Sequence, residues 1–182
     1  MALQKPHRLY RRNLFIAIAV LVISGTVLLT VFFSSSRVLQ IRDSNSGRLY
    51  GSWPLDQSAE FSIEFIHSVN QSPIRESFKA ERPSIQGIAG VPGLKDIVPR
   101  WKIRPVAVHF YTFGAGVQSD LEEGQTLTRD GDAMIISGFN TSFRELNIIV
   151  GTVSDHLLYI NGETVSLRDL CGRNAHITIR IR

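Results

Sequence analysis

Hydrophobic positions fall into two regimes along this chain. From Leu14 to Phe33, twenty consecutive residues carry no charge, and fourteen of them are Leu, Ile, Val or Phe. At about 1.5 Å per residue, a helix of that length spans about 30 Å, one bilayer hydrocarbon core. After Ser36 no stretch keeps a 3.6-residue apolar period, and short β-branched and aromatic runs alternate with turn signals instead. Asp130-Gly131 separates Thr126–Arg129 from Asp132–Ser137, and Asn161-Gly162 separates Val153–Ile160 from Glu163–Leu167. Both pairs predict two-residue hairpins. Ile177, Ile179 and Ile181 alternate with Thr178, Arg180 and Arg182, which predicts a half-buried strand with a basic outer face. The pattern predicts about nine or ten short strands, hence an all-β domain, either a sandwich or a partly closed antiparallel barrel. One N-terminal transmembrane helix precedes it.

Charge divides the chain in the same place. Lys5, Arg8, Arg11 and Arg12 supply the whole formal net charge of +4, and residues from Arg37 onward balance to zero. The sequence pI of about 9.6 therefore belongs to a short tail and not to a basic folded surface, which argues against nucleic-acid binding. A basic tail over 1–13, an anchor over 14–33 and an extracytoplasmic domain over 37–182 follow, with the tail on the cytoplasmic side. A signal peptide has a shorter apolar run, about 7–15 residues, so the length favours an uncleaved single-pass anchor in the inner or plasma membrane. Residues 82–105 hold Pro83, Pro92, Pro99 and Pro105 with Gly87, Gly90 and Gly93, and read as a Pro/Gly-rich insertion.

The stretch Glu60–Glu81 carries the most chemistry. With Asn70–Pro73 as a four-residue loop, Val69 pairs with Ile74, Phe65 faces Phe78, Glu64 faces Lys79 and His67 faces Glu76. One face is then apolar and the other charged. His67 and Glu76 sit opposite each other on the apolar face, where an isolated carboxylate needs a partner. The plain reading is a satisfied polar pair fixing the loop. The functional one is a ligand-contacting or proton-handling pair in a pocket. Ser68 points to the other face of a regular strand from His67, and GxSxG is absent, so a serine hydrolase is disfavoured. No second histidine stands near His67 at metal-ligand spacing, and no metal or cofactor is expected.

Past the predicted strand Pro105–Thr112, Phe113-Gly114-Ala115-Gly116 permits positive φ and close backbone approach. It is not GxGxxG, and a tight turn or bulge is the simpler reading, with a ligand or partner rim as the alternative. His109, His156 and His176 fall on separate predicted strands and read as surface or boundary residues. Cys171, the only cysteine, reads as a small buried side chain.

The order His67-Ser68-Val69, Pro73, Glu76, then Phe113-Gly114-Ala115-Gly116 resembles the uncharacterised bacterial family called domain of unknown function 1850. The resemblance covers most of Val38–Ile181. Members are typically encoded beside membrane subunits of TRAP-type transporters of the TAXI class, so it implies an envelope accessory protein linked to solute uptake. It implies no catalytic residues; His67, Ser68, Pro73, Glu76, Phe113, Gly114 and Gly116 carry over as motif positions. The segment 82–105 is longer than the family's usual connection. The leading expectation is thus a membrane-anchored interaction protein, not an enzyme, with TRAP-type membrane subunits as partners. The alternative is a stand-alone ligand-binding domain with a pocket near His67 and Glu76. An envelope hydrolase or isomerase ranks last.

Overall fold

A computed structural model describes residues 37–82, 101–112 and 120–182, together with Ile16, Ile18, Val20, Leu21 and Ile23. The chain divides into two units, Met1–Ser36 and Arg37–Arg182. In the first, the five described residues are helical and exposed. Among the described residues no helix is long and apolar enough to cross a membrane. The tail 1–13 and the rest of the expected anchor 14–33 lie outside the described residues.

The second unit is built of antiparallel strands. Their order is β1 (Val38–Asp43), β2 (Leu49–Pro54), β3 (Glu60–Ile66), β4 (Pro73–Glu81), β5 (Lys102–Phe110), β6 (Thr126–Asp130) and β7 (Ala133–Ser137). Then come β8 (Leu146–Ile149), β9 (His156–Ile160), β10 (Glu163–Ser166), a short helix α1 (Leu167–Cys171) and β11 (His176–Ile181). They form two sheets, β2-β1-β11-β8 and β10-β9-β3-β4-β5-β7-β6. Both sheets are open, and the described strands close no barrel.

Alternation explains the core. Leu39 and Ile41 of β1 and Ile177, Ile179 and Ile181 of β11 point one way, and Phe61, Ile63, Leu158 and Ile160 of the larger sheet meet them in one buried cluster. Each such side chain, fully withdrawn from water, contributes about 1.5–3 kcal/mol. The outward residues of β11 are polar, and Thr178 Oγ1 donates to Asn147 Oδ1 at 2.9 Å. Asn161-Gly162 forms the expected two-residue turn, with φ of 52° and 78°, between the paired residues Ile160 and Glu163. The other glycine turn sits one residue later than expected. Asp130 pairs with Ala133, so Gly131 and Asp132 make the loop and glycine takes its first, positive-φ position. The α1 helix starts at Ser166, whose Oγ accepts from Asp169 N at 3.0 Å, and Asp155 accepts from Arg168 N at 3.0 Å.

Two further expectations need correction. The insertion expected over 82–105 is shorter, because Lys102–Pro105 belong to β5 and pair with β4; residues 83–100 lie outside the described residues. Pro105 fits a strand there because β7 pairs only with Ala107–Phe110; among the described residues the second edge of that half of β5 carries only the isolated bridge Ile103–Phe143. The second correction is the β3–β4 register. Ile66 pairs with Pro73, Phe65 with Ile74, Glu64 with Arg75 and Ile63 with Glu76. The connecting loop is therefore His67–Ser72, six residues and not four. Sliding by an even number keeps every side chain on its expected face but changes every partner. Glu64 binds Arg75 at 2.8 Å, and Lys79 binds Glu60 at 3.3 Å.

Candidate functional site: a cavity on the overhang of the larger sheet

The larger sheet has three more strands than the smaller one. Part of its inward face therefore lies outside the main core and forms a second apolar cluster of Ile74, Phe110 and Ile136, flanked by Phe65, Val108, Met134 and Phe139. A cavity of about 700 Å³ opens over this overhang. Its floor is the sheet itself, and its far wall comes from Glu122, Gln125, Phe139, Thr141, Phe143 and Leu146.

A bulge shapes the floor. Ser77 pairs with Ala107, but Phe78 pairs with Pro105, so Val106 is left unpaired on β5. The extra residue breaks strict alternation. Glu76, Ser77 and Phe78, three consecutive residues, all line the cavity, as do Ala107 and Val108.

Glu76 is the one carboxylate of the floor. Beside it in the sheet stand Ile63 and Val108, and along its own strand on the same face stand Ile74 and Phe78. None can pair with a charge, and the Glu76 carboxylate makes no hydrogen bond or ion pair with any described residue. Burial alone pushes its carboxyl pKa up.

His67 also lines the cavity, but it is not bonded to Glu76. Its backbone N–H donates to Ser72 O at 2.9 Å and its carbonyl accepts from Gln71 N at 2.9 Å, closing the six-residue loop. Its Nδ1 accepts from Val69 N and Asn70 N, both at 3.3 Å, and Gln71 takes a φ of 50°. The imidazole thus holds the turn that follows it. With Nδ1 an acceptor, the hydrogen of the neutral ring sits on Nε2, its remaining donor. The expected face-to-face pair is replaced by two residues sharing a cavity in separate roles.

The other motif positions divide. Ser68 is exposed and its carbonyl accepts from Gln71 Nε2. Pro73 opens β4. Phe113, Gly114 and Gly116 lie outside the described residues; Phe110, the last residue of β5, lines the cavity, and Thr112 bonds to Ser72, Oγ1 to Oγ at 2.9 Å. His156 stacks on Phe65 with ring centroids 5.1 Å apart, its Nδ1 accepts from Gly151 N at 3.1 Å, and burial pushes its pKa down. His109 and His176 do not line the cavity. Among the described residues no three His, Cys, Asp or Glu side chains gather to hold a metal ion.

Sequence reasoning missed the far wall. Glu122 and Gln125 are mutually bonded: Glu122 N donates to Gln125 Oε1 at 2.9 Å and Gln125 N to Glu122 O at 3.0 Å. Their loop is pressed onto the exit of β7 by two glycines. A Cβ on Gly138, at φ 84°, would lie 2.2 Å from the Gly124 carbonyl oxygen. Gly124 and Gly138 in the sequence were the available signal, but glycine alone does not say what approaches it.

The fold and site define a class: an antiparallel two-sheet domain carrying an apolar cavity with a few polar groups, the form of small-ligand sites in general. The chain belongs to the family described as "Domain of unknown function (DUF1850)", which it matches over residues 61–167. Every residue lining the cavity lies inside that range, whereas β1, β2 and β11 lie outside it. No curated protein and no solved structure matches the chain.

Proposed function

We propose that the protein is a ligand-binding module of the cell envelope, held to the membrane by residues 14–33 and taking a small molecule into the cavity beside His67 and Glu76. The observation that carries this reading is Glu76, a carboxylate set among Ile63, Val108, Ile74 and Phe78 without a partner among the described residues. A charge there works against folding, and a group that works against folding is a mark of function. The volume of about 700 Å³ suits a drug-sized molecule. A catalytic reading gains nothing, because the Nδ1 of His67 is occupied by backbone N–H groups and Ser68 is exposed outside the cavity lining.

The test is to purify the full-length protein from its membrane and identify the small molecules that leave it on denaturation. Val108→Trp, which adds bulk to the floor beside Glu76, serves as the comparison. A compound enriched on the wild type and lost from Val108→Trp is expected; identical profiles overturn the reading. The setting we propose is that of an accessory to TRAP-type solute uptake, supported by the family resemblance and the apolar segment 14–33. Co-purification of the permease subunits in mild detergent checks it, and recovery of the protein alone from an extract holding intact permease contradicts it.

A further inference from the structure

The charge inventory of the cavity bears on what it holds. Of its described lining residues, Glu76 and Glu122 are acidic, and none is lysine or arginine. Two arginines of the floor strands are engaged elsewhere. Arg75 alternates with Glu76 onto the opposite face, where it binds Glu64 and stacks 4.3 Å from the Tyr159 ring centroid. Arg104 binds Glu81. Glu122 is held in its own loop by Gln125, whereas Glu76 has no described partner. Phe65, Phe110, Phe139 and Phe143 complete the walls, and aromatic faces attract cations.

The geometry points to a small organic cation as the ligand, an apolar body bearing one protonated amine that sets its ammonium against Glu76. This inference rests on the ligand-binding reading above. An ammonium supplies the counter-charge that Ile63, Val108, Ile74 and Phe78 cannot, and its N–H donors satisfy the carboxylate oxygens. An organic anion meets the opposite situation: two carboxylates and no cation among the described lining residues, in a partly desolvated space where like charges repel strongly. A neutral molecule fills the volume but leaves Glu76 buried and unpaired.

Three probes of one shape test this on full-length protein in lipid nanodiscs: phenethylammonium, 2-phenylethanol and 3-phenylpropionate, with affinities measured by calorimetry. The amine is expected to bind at least tenfold more tightly than the alcohol, and the carboxylate more weakly than both. Glu76→Gln keeps the shape and removes the charge. It should weaken the amine at least tenfold and leave the alcohol unchanged, while Glu64→Gln on the opposite face should alter neither. Tightest binding by the carboxylate, or amine affinity unchanged in Glu76→Gln, overturns the cation assignment and leaves the cavity reading standing. Binding of none of the three overturns both.

Discussion

Replacing Glu76 should make the protein more stable. The carboxylate stands among Ile63, Val108, Ile74 and Phe78, and burial raises its pKa in the folded chain. At pH values below the ordinary glutamate range, folded and unfolded chains are both protonated there and the penalty is absent. As pH rises through that range the unfolded chain ionises first, and stability falls until pH passes the raised folded value. The loss is complete once pH has passed the raised folded value, and each pKa unit of displacement is worth about 1.4 kcal/mol. Leucine at this position removes that loss and adds about 1 kcal/mol of transfer free energy, since the site is only partly withdrawn from water. Glu76→Leu is thus expected to stabilise by about 1–2 kcal/mol at pH 7, or about 2–8 °C in Tm. Thermal melting of the full chain followed by tryptophan fluorescence measures it, because Trp53 and Trp101 pack against the core. Glu76→Gln should gain less, and its advantage should shrink as pH is lowered from 7 toward the glutamate range. A lower Tm at pH 7 for both substitutions would refute the reasoning, for it would mean that the carboxylate has a stabilising partner.

Other consequences can be checked separately. Gly138→Ala places a Cβ against the Gly124 carbonyl and forces alanine to a φ of 84°, so it should cost about 1–3 kcal/mol by thermal melting and weaken amine binding by lifting the Glu122–Gln125 loop. Asn161→Ala removes the Nδ2 donation to Pro54 O at 2.6 Å and the Oδ1 acceptance from Asp56 N at 3.2 Å, at a residue with φ 52°. It should lower stability by about 1–3 kcal/mol, visible as a lower Tm, because these bonds tie β2 to the β9–β10 turn. The Cys171 thiol is pushed up to about 11, chiefly by burial, so at pH 8 a thiol reagent should label it far more slowly in the native protein than after denaturation.

Much of the fold was legible because its signals are local. Asn161-Gly162 dictates its turn through two positive φ angles, and the isoleucines of β11 declare a buried face by alternation alone. The apolar face of Phe61, Ile63, Phe65, Ile74 and Phe78 was legible for the same reason. Its register was not, because alternation does not distinguish pairings that differ by an even number. What decides it is the loop, where the imidazole of His67 accepts two backbone N–H groups and Gln71 turns left-handed, a use of histidine with no sequence signature. Glu76 stood out as a carboxyl on an apolar face. The cavity around it did not, since it arises from strand order: β5 and β7 extend the larger sheet past the smaller one. Nor does anything in Pro105-Val106-Ala107 announce the bulge at Val106 in its floor.

The pairing of β1 with β11 also governs how the molecule is made. Val38 and Arg182 exchange backbone hydrogen bonds, N–H to O at 2.8 and 2.9 Å, so the first and last strands of the domain are neighbours in space. The β1–β2 hairpin is made with one edge of β1 unpaired, and the strand that pairs with that edge is produced more than 130 residues later. The smaller sheet is completed only once β11 has been made, whereas β3, β4 and β5 can pair before it. Closing so long a loop is slow. The nascent domain therefore carries an unpaired β1 edge until β11 is made, the stage at which a chaperone has the most to bind and a truncated product the least chance of surviving.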